Sequence, residues 1–182
     1  VEPDGQPETV LVEMEKLQAM VAGCSPVSLQ AVTTEDACER FWALRRAFSN
    51  SLRATGLTKL NQDIVVPRSR LVDLVEFAEA LSKRAGFPIA CFGHAGDGNM
   101  HVNIMADRYN REAAVREKAE HALDELFAQV LAFGGVITGE HGIGLAKKRW
   151  WPQATTDVSR EVHRRIKDAL DPVGILNPGK FL

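Results

Sequence analysis

Residues 89–106 constrain the fold of this chain most, because their pattern predicts a β-hairpin. Two apolar runs flank the segment Gly96-Asp97-Gly98-Asn99, and a tight turn between antiparallel strands needs residues that accept positive φ, as glycine, Asp and Asn do. In the second run, residues 99–106, polar and apolar side chains alternate. We therefore expect His101 and Asn103 on one face of the strand and their apolar neighbours on the other.

The same hairpin predicts a metal site. If the first strand ends at His94, the imidazoles of His94 and His101 converge on one side of a rigid turn, as a metal site requires. Glu140 lies in the polar segment 138–144, after a long predicted helix, and would supply a carboxylate. Two histidines and one carboxylate suit an open catalytic site, with Zn²⁺ as the first candidate and Mn²⁺, Fe²⁺ and Co²⁺ as alternatives. Spacing alone is equally compatible with histidines that only make hydrogen bonds within the turn.

Three further side chains are candidates for chemistry at such a site. His141 follows the carboxylate directly and is a candidate general base, since an imidazole titrates near neutral pH. The alternative for His141 is a loop histidine stacked on Trp150 or Trp151. Arg45 and Lys59 are the cations best placed for a substrate carboxylate, an assignment that spacing alone leaves weak.

Composition excludes several classes of function. The 182 residues, 45% hydrophobic and 25% charged, suit a single folded domain with a full core. A net charge of −2 gives no electrostatic argument for nucleic acid or an anionic membrane, and we interpret Lys147-Lys148-Arg149 as a solvated helical face. No run approaches the roughly 20 apolar residues of a membrane helix. Three scattered cysteines favour reduced thiols, so a cytoplasmic location is predicted, with peripheral membrane association left open.

The rest of the chain predicts alternating strands and helices. We expect strands at 9–15 and 26–32, a loop and extended segment over 59–67, a short strand at 136–138, and helices at 16–24, 35–54, 69–84, 110–133 and 157–170. This order indicates an α+β fold of the ferredoxin-like type, an antiparallel sheet with helices packed on one face. Residues 1–8 are interpreted as a linker, so the chain is expected to be a piece of a longer polypeptide with a domain over 9–182.

Three segments carry a resemblance to a known family. In order and spacing, residues 93–103, 139–144 and 176–180 resemble the C-terminal domain of the FAD-linked oxidases, a family that includes the glycolate oxidase FAD subunit, D-lactate dehydrogenase and D-2-hydroxyglutarate dehydrogenase. Residues 42–45 and 63–67 also fall where the family has similar segments, so the resemblance covers nearly the whole chain. It implies a parent enzyme that oxidises a D-2-hydroxy acid to the 2-oxo acid by hydride transfer to FAD.

The resemblance also implies roles for individual residues. Those that correspond to His94, His101 and Glu140 hold a divalent metal that grips the 2-hydroxy acid. His141 would take the hydroxyl proton while hydride leaves carbon 2 for the flavin. By the same analogy, the substrate-binding residues would be Arg45, Ser49, Lys59 and Asn103, and a cofactor contact would come from Asn177.

In this family an N-terminal domain binds most of the FAD, and we expect that domain to be missing from this chain. The implied partners are the FAD domain of the parent chain, a 2-hydroxy acid and an electron acceptor, with a homo-oligomer left open and no nucleic acid. The fragment alone is expected to be inactive. Two alternatives remain from the residues themselves. One is a stand-alone metal-dependent hydrolase with His141 as base, and the other is a non-catalytic capping or binding domain.

Overall fold

The computed structural model describes residues 2–180 and divides the chain into two compact units, Val1–Ser51 and Leu52–Leu182. The first unit consists of helix α1 (Pro7–Gly23) and most of helix α2 (Glu35–Ala54), which occurs where a helix was predicted. Neither helix contains a buried residue. The apolar stripe of α2 is therefore largely at the surface, as the 60% exposure of Leu44 shows.

Both strands predicted in the first unit are wrong. Residues 9–15 belong to α1, because Pro7 and Glu8 favour the first turn of a helix and the following Glu, Met, Lys, Leu and Ala residues propagate it. The helix predicted at 16–24 is the second half of the same element. Residues 26–32 form no strand, and Val27 among them is fully exposed. The described part of this unit contains no other strand with which their main chain could pair.

The second unit is built on a three-stranded antiparallel sheet. Strand β1 (Thr58–Val65) and strand β2 (Ile89–His94) flank the central strand β3 (Asn99–Ala106). The predicted hairpin is confirmed, with His94 paired to Asn99 beside the turn. Strand β1 begins at Thr58, before the extended part of the segment 59–67 for which a loop was predicted first, and its whole length pairs with β3.

The α+β prediction is confirmed. Helix α3 (Leu71–Ala85) connects β1 to β2, and helix α4 (Ala113–Ala132) follows β3. The chain then returns to the sheet beside β1, where Val136 forms a single antiparallel bridge to Val65. This order of elements is the ferredoxin-like one. The short strand predicted at 136–138 is reduced to that bridge.

Three short helical elements complete the second unit. A 3₁₀ turn (Arg68–Arg70) precedes α3, and another (Lys148–Trp150) runs into α5 (Trp151–Ala154). Helix α6 (Asp157–Leu170) occupies the range predicted for the last helix, and the Thr156 side chain caps it by accepting from the Ser159 N–H. No helix within residues 2–180 has both the length and the apolar character needed to cross a membrane.

The core lies between one face of the sheet and helices α3 and α4. Strand alternation directs Ile64, Val102 and Ile104 to this face, where none of them has exposed surface. They pack with fully buried residues of the two helices, among them Leu74, Leu81, Leu126, Phe127 and Val130. Burial of each such side chain contributes roughly 1.5–3 kcal/mol. The opposite face of the sheet is thereby left to the polar residues of β1 and β3.

The hairpin turn depends on Gly98. Its φ is +82°, and a β-carbon at this position would lie 2.1 Å from the main-chain oxygen of Val66. We expect Gly98→Ala to lower the free energy of unfolding by about 2 kcal/mol or more, because both the backbone conformation and the close contact penalise a side chain. Urea denaturation of the two proteins measures the difference.

Gly96 offers a matched control within the same turn. A β-carbon there meets no atom within 4 Å, so Gly96→Ala should change the free energy of unfolding by less than about 1 kcal/mol. Equal losses in the two variants would contradict the special role of Gly98.

Candidate metal and substrate site

Three predicted ligands come together at the end of the hairpin. The rings of His94 and His101 meet edge to face, with centroids 6.2 Å apart. Glu140 reaches both histidines from its loop, with Oε1 3.8 Å from Nε2 of His94 and Oε2 4.0 Å from Nε2 of His101. One ligand atom from each residue lies within 4.8 Å of the other two. The structure therefore brings together the His₂-carboxylate set that the sequence predicted.

This donor set fits a divalent metal. Two imidazole nitrogens and a carboxylate oxygen are the ligands of many open zinc sites, and they also suit Mn²⁺, Fe²⁺ and Co²⁺. The side chains of His94 and Glu140 are 44% and 52% exposed, whereas that of His101 is 12% exposed. The site is thus fixed to the sheet at His101 and open to solvent on its other side.

The environment of His101 favours the neutral imidazole that a metal needs. Burial lowers the pKa of His101, while the carboxylates of Asp63 and Glu140 act in the opposite direction and raise it. Its ring also packs against Phe92, with centroids 5.6 Å apart. The Nδ1 atom of His101 is buried and has no hydrogen-bond partner among the described residues.

His141 adjoins the ligand set. Its ring stacks on that of His101, with centroids 5.6 Å apart and planes inclined by 25°. The alternative in which His141 stacks on a tryptophan is wrong, since Trp151 packs against His163 and Trp150 against Phe127. A third imidazole therefore lies next to the ligands, at the exposed side of the site.

A single carboxylate oxygen holds the loop that carries Glu140 and His141. Oδ2 of Asp63 accepts hydrogen bonds from the Thr138 hydroxyl at 3.0 Å and from the main-chain N–H groups of Gly139, Glu140 and His141 at 2.9, 2.7 and 2.8 Å. Asp63 lies in β1 directly opposite His101 of β3 and has no exposed surface. It therefore ties the loop to the strand next to His101.

These hydrogen bonds control the charge of Asp63. Burial alone would raise its pKa, but the N–H groups of His141, Glu140 and Gly139, with the Thr138 hydroxyl, lower it to about 2. The carboxylate is therefore ionised at neutral pH, and its negative charge is a fixed part of the site.

Lys147 also stabilises this loop. The prediction that it belongs to a solvated helical face is wrong. Its side chain is 4% exposed, and Nζ donates to the main-chain oxygens of Asp63 at 2.5 Å and Ile137 at 2.6 Å. Burial lowers the pKa of Lys147 to about 8, although the Asp63 carboxylate opposes this change. The ammonium therefore connects the main chain of β1 to the segment that leads into the loop.

Two of the predicted substrate residues lie on the polar face of the sheet. The Lys59 ammonium lies 5.9 Å from the centroid of the Phe92 ring, which itself packs on His101. Burial, and next the positive charge of Arg53, lower the pKa of Lys59. Asn103 has no exposed surface, and its Nδ2 donates to the main-chain oxygens of Ala90 and His101 at 3.2 and 3.1 Å. The amide oxygen of Asn103 is left for another donor.

The remaining predicted residues lie in other segments of the chain. Arg45 and Ser49 are half-buried on α2, one turn apart, in the first unit. Asn177 is exposed in the C-terminal turns, with a φ of +49°. Their roles in substrate or cofactor binding stay predictions.

Sequence reasoning missed the two residues that organise the loop, Asp63 and Lys147. Asp63 drew notice only as the first residue of a family-like segment. A signal was available in β1, where Lys59, Asn61 and Asp63 alternate with Leu60, Gln62 and Ile64 and so share one face. Lys147 carried no comparable signal, because its neighbours Lys148 and Arg149 are cations at the surface.

Comparisons with known proteins show which proteins this chain is similar to. Residues 1–181 match the family model described as FAD linked oxidases, C-terminal domain. The chain is 34% identical to glycolate oxidase subunit GlcD of Bacillus subtilis strain 168 over 181 residues, which are 100% of this chain and 38% of that protein. It is 29% identical to a D-lactate dehydrogenase of Anaerostipes hadrus over 179 residues, 98% of this chain and 38% of that protein.

A mitochondrial D-2-hydroxyglutarate dehydrogenase of Rattus norvegicus is 32% identical over 152 residues, which are 82% of this chain and 27% of that protein. The chain thus spans well under half the length of each of these relatives.

The anchoring of the loop by Asp63 has a measurable dependence on pH. Its pKa is lower in the folded chain than the ordinary value of 3.8, so its contribution to stability is present above about pH 4 and is lost as the pH falls towards about 2. At neutral pH, Asp63→Asn should lower the free energy of unfolding by about 2 kcal/mol. The difference from wild type should shrink between about pH 4 and pH 2, as measured by urea denaturation at each pH.

Asp107→Asn is a suitable control, because Asp107 is an exposed residue paired only with its neighbour Arg108 in the described contacts. It should change stability by less than about 0.5 kcal/mol at every pH. A loss for Asp63→Asn that stays constant down to pH 2 would contradict the role of the ionised carboxylate.

Proposed function

This chain belongs to the family of FAD-linked oxidase C-terminal domains, and we propose that it forms the substrate and metal side of a flavin-dependent enzyme. The proposed reaction oxidises a 2-hydroxy acid of the glycolate, D-lactate or D-2-hydroxyglutarate type to the 2-oxo acid. The observation that supports it most is the convergence of His94, His101 and Glu140 beside His141. Since this chain covers 38% or less of the three relatives named above, we propose that most of the FAD is bound by another domain of a longer polypeptide.

His94, His101 and Glu140 are the residues that would hold the metal, for which Zn²⁺ is the first candidate. A divalent metal supplies, when bound, Lewis-acid charge that assists loss of the substrate hydroxyl proton, and FAD supplies the acceptor for the hydride. The chain itself provides a rigid frame for this chemistry. His101 is fixed in the central strand, and Glu140 is fixed through its main-chain N–H by Asp63.

His141 is the proposed general base and accepts the hydroxyl proton at an imidazole nitrogen. Its ring is kept next to the ligands by stacking on His101, and its main-chain N–H is bound by Asp63. Removal of a proton by a positioned base typically accelerates a reaction by about 10²–10⁴-fold. The position of His141 at the exposed side leaves room for a substrate between it and a second domain.

The substrate carboxylate calls for cations and hydrogen-bond donors. We propose that Lys59 and Arg45 supply the positive charge and Ser49 a hydrogen-bond donor. Asn103, whose Nδ2 is bound to main-chain oxygens, would instead accept from the substrate hydroxyl through its amide oxygen. The role of Lys59 is supported by its position on the polar face of the sheet. Its ammonium lies over the Phe92 ring, which packs against His101. We also propose an electron acceptor as a partner, because the flavin of the complete enzyme must be reoxidised.

Metal binding gives the first test of this function. We expect the purified chain to carry about one equivalent of divalent metal per molecule after exposure to zinc. His101→Ala should carry almost none, because it removes the least exposed ligand of the three. Inductively coupled plasma mass spectrometry of dialysed samples measures the metal content.

His121→Ala is the matched control, since His121 lies on α4 with a side chain that is 76% exposed and contacts only Glu125 in the described ion pairs. It should retain the metal content of the wild type. Equal metal content in His101→Ala and the wild type would refute the proposed ligand set.

The role of His141 requires the complete flavoenzyme. In that enzyme, His141→Ala should lower kcat for the preferred 2-hydroxy acid by about 10²–10⁴-fold while leaving the metal content unchanged. Flavin reduction in a stopped-flow experiment measures the step directly. An unchanged rate of flavin reduction would exclude His141 as the base. A separate assay tests the alternative function: turnover of an ester by the 182-residue chain with zinc would favour a metal-dependent hydrolase.

A further inference from the structure

Two buried polar atoms beside the ligand set lack hydrogen-bond partners among the described residues. They are Nδ1 of His101 and Oδ1 of Asp63. The two residues are direct cross-strand partners in the β1–β3 register, and side chains opposite each other in an antiparallel pair lie about 4.5–5.5 Å apart at Cβ. A ring nitrogen and a carboxylate oxygen are thus left over on neighbouring side chains, with no direct hydrogen bond between them.

The other atoms of both side chains are already committed. Nε2 of His101 faces Glu140, so Nδ1 is the nitrogen that remains for a contact outside the ligand set. Oδ2 of Asp63 accepts all four hydrogen bonds from the loop, so Oδ1 remains free to accept another. Buried polar groups in proteins nearly always have a partner, either another protein group or an ordered water.

Competing acceptors are weaker candidates. The amide oxygens of Asn61, Asn99 and Asn103 are also buried without a partner. Asn99 and Asn103 lie two positions away from His101 along β3, and Asn61 lies opposite Asn103. Only Asp63 combines the position opposite His101 with a negative charge, and a charged acceptor makes a stronger hydrogen bond than an amide.

We propose that Asp63 is a positioning residue that accepts the Nδ1 proton of His101 through one buried water bound to Oδ1, while its Oδ2 holds the loop of Glu140. The inference rests on the proposed function, because it assigns to Asp63 the alignment of two of the three metal ligands. A metal-binding histidine commonly donates its other ring N–H to a carboxylate, which fixes the tautomer and the ring orientation. Here the proton on Nδ1 leaves the lone pair of Nε2 directed at the metal position.

The tautomer of His101 tests the inference without any metal. In the metal-free chain labelled with ¹⁵N-histidine, long-range ¹H–¹⁵N correlation spectra at pH 8 should show His101 protonated at Nδ1, with the signals assigned by loss in His101→Gln. A wild-type His101 protonated at Nε2 would overturn the inference. This measurement needs no Asp63 variant, so it decides the question even if such a variant folds poorly.

Asp63→Asn provides the second readout. The loop N–H groups should retain the amide oxygen of the new side chain. Its NH₂ group would then donate to the bridging water, and the water would donate to Nδ1 of His101. We expect the His101 population to move towards the Nε2-protonated tautomer. Zinc affinity in isothermal titration calorimetry should fall by about 10–100-fold. An unchanged tautomer would overturn the inference, and so would an unchanged zinc affinity.

Thr138→Val is the matched control, because Thr138 donates to Oδ2 of Asp63 and not to Oδ1. It should leave the His101 tautomer unchanged, and a shift as large as that in Asp63→Asn would overturn the specific pairing. The readouts also separate the two proposals. A wild-type chain that binds no zinc but shows the Asp63-dependent tautomer contradicts the proposed metal site while supporting the contact. Zinc binding that is unchanged in Asp63→Asn supports the proposed metal site and contradicts the contact.

Discussion

The site depends on one buried negative charge, the carboxylate of Asp63. Removing a carboxylate from water costs several kcal/mol unless hydrogen bonds and opposite charge compensate it. Three main-chain N–H groups and a hydroxyl supply that compensation, and in return they fix the backbone of Glu140 and His141. Lys147 adds a buried cation whose ammonium binds the main-chain oxygens of Asp63 and Ile137. The same hydrogen bonds therefore compensate the buried charge and hold the loop in place.

The sheet separates folding from chemistry by its two faces. One face, with Ile64, Val102 and Ile104, packs on α3 and α4 and provides the core. The other face presents Asp63 and His101 at neighbouring positions of adjacent strands. Because both sets are attached to the same backbone, the core holds the polar side chains in place without contributing any atom to the site. A metal ligand on this face, such as His101, is therefore held rigidly by the sheet.

The parts of the structure that could be predicted are those encoded locally. The hairpin followed from alternation and from glycines at its turn, and with it the meeting of His94 and His101. The first half of α1 was predicted as a strand, because a short alternation around Val10 outweighed the helix-forming residues after it. Asp63 and Lys147 were missed for a different reason. The loop groups that bind Asp63 lie 75 to 78 residues away in the chain, and Lys147 binds the main-chain oxygen of Asp63, 84 residues away. Only the folded chain reveals that a single strand residue organises a distant loop.

The alternation of side chains along β3 restricts which insertions and deletions this protein can tolerate during evolution. Neighbouring side chains of a strand point to opposite faces, so inserting or deleting one residue between the turn and His101 would exchange the two faces. An imidazole would then enter the core and Val102 would take its place at the site. Length changes here are tolerable only in steps of two or with a compensating bulge. Variation among descendants of this domain is therefore expected in the helices and connecting loops, while the hairpin keeps its length.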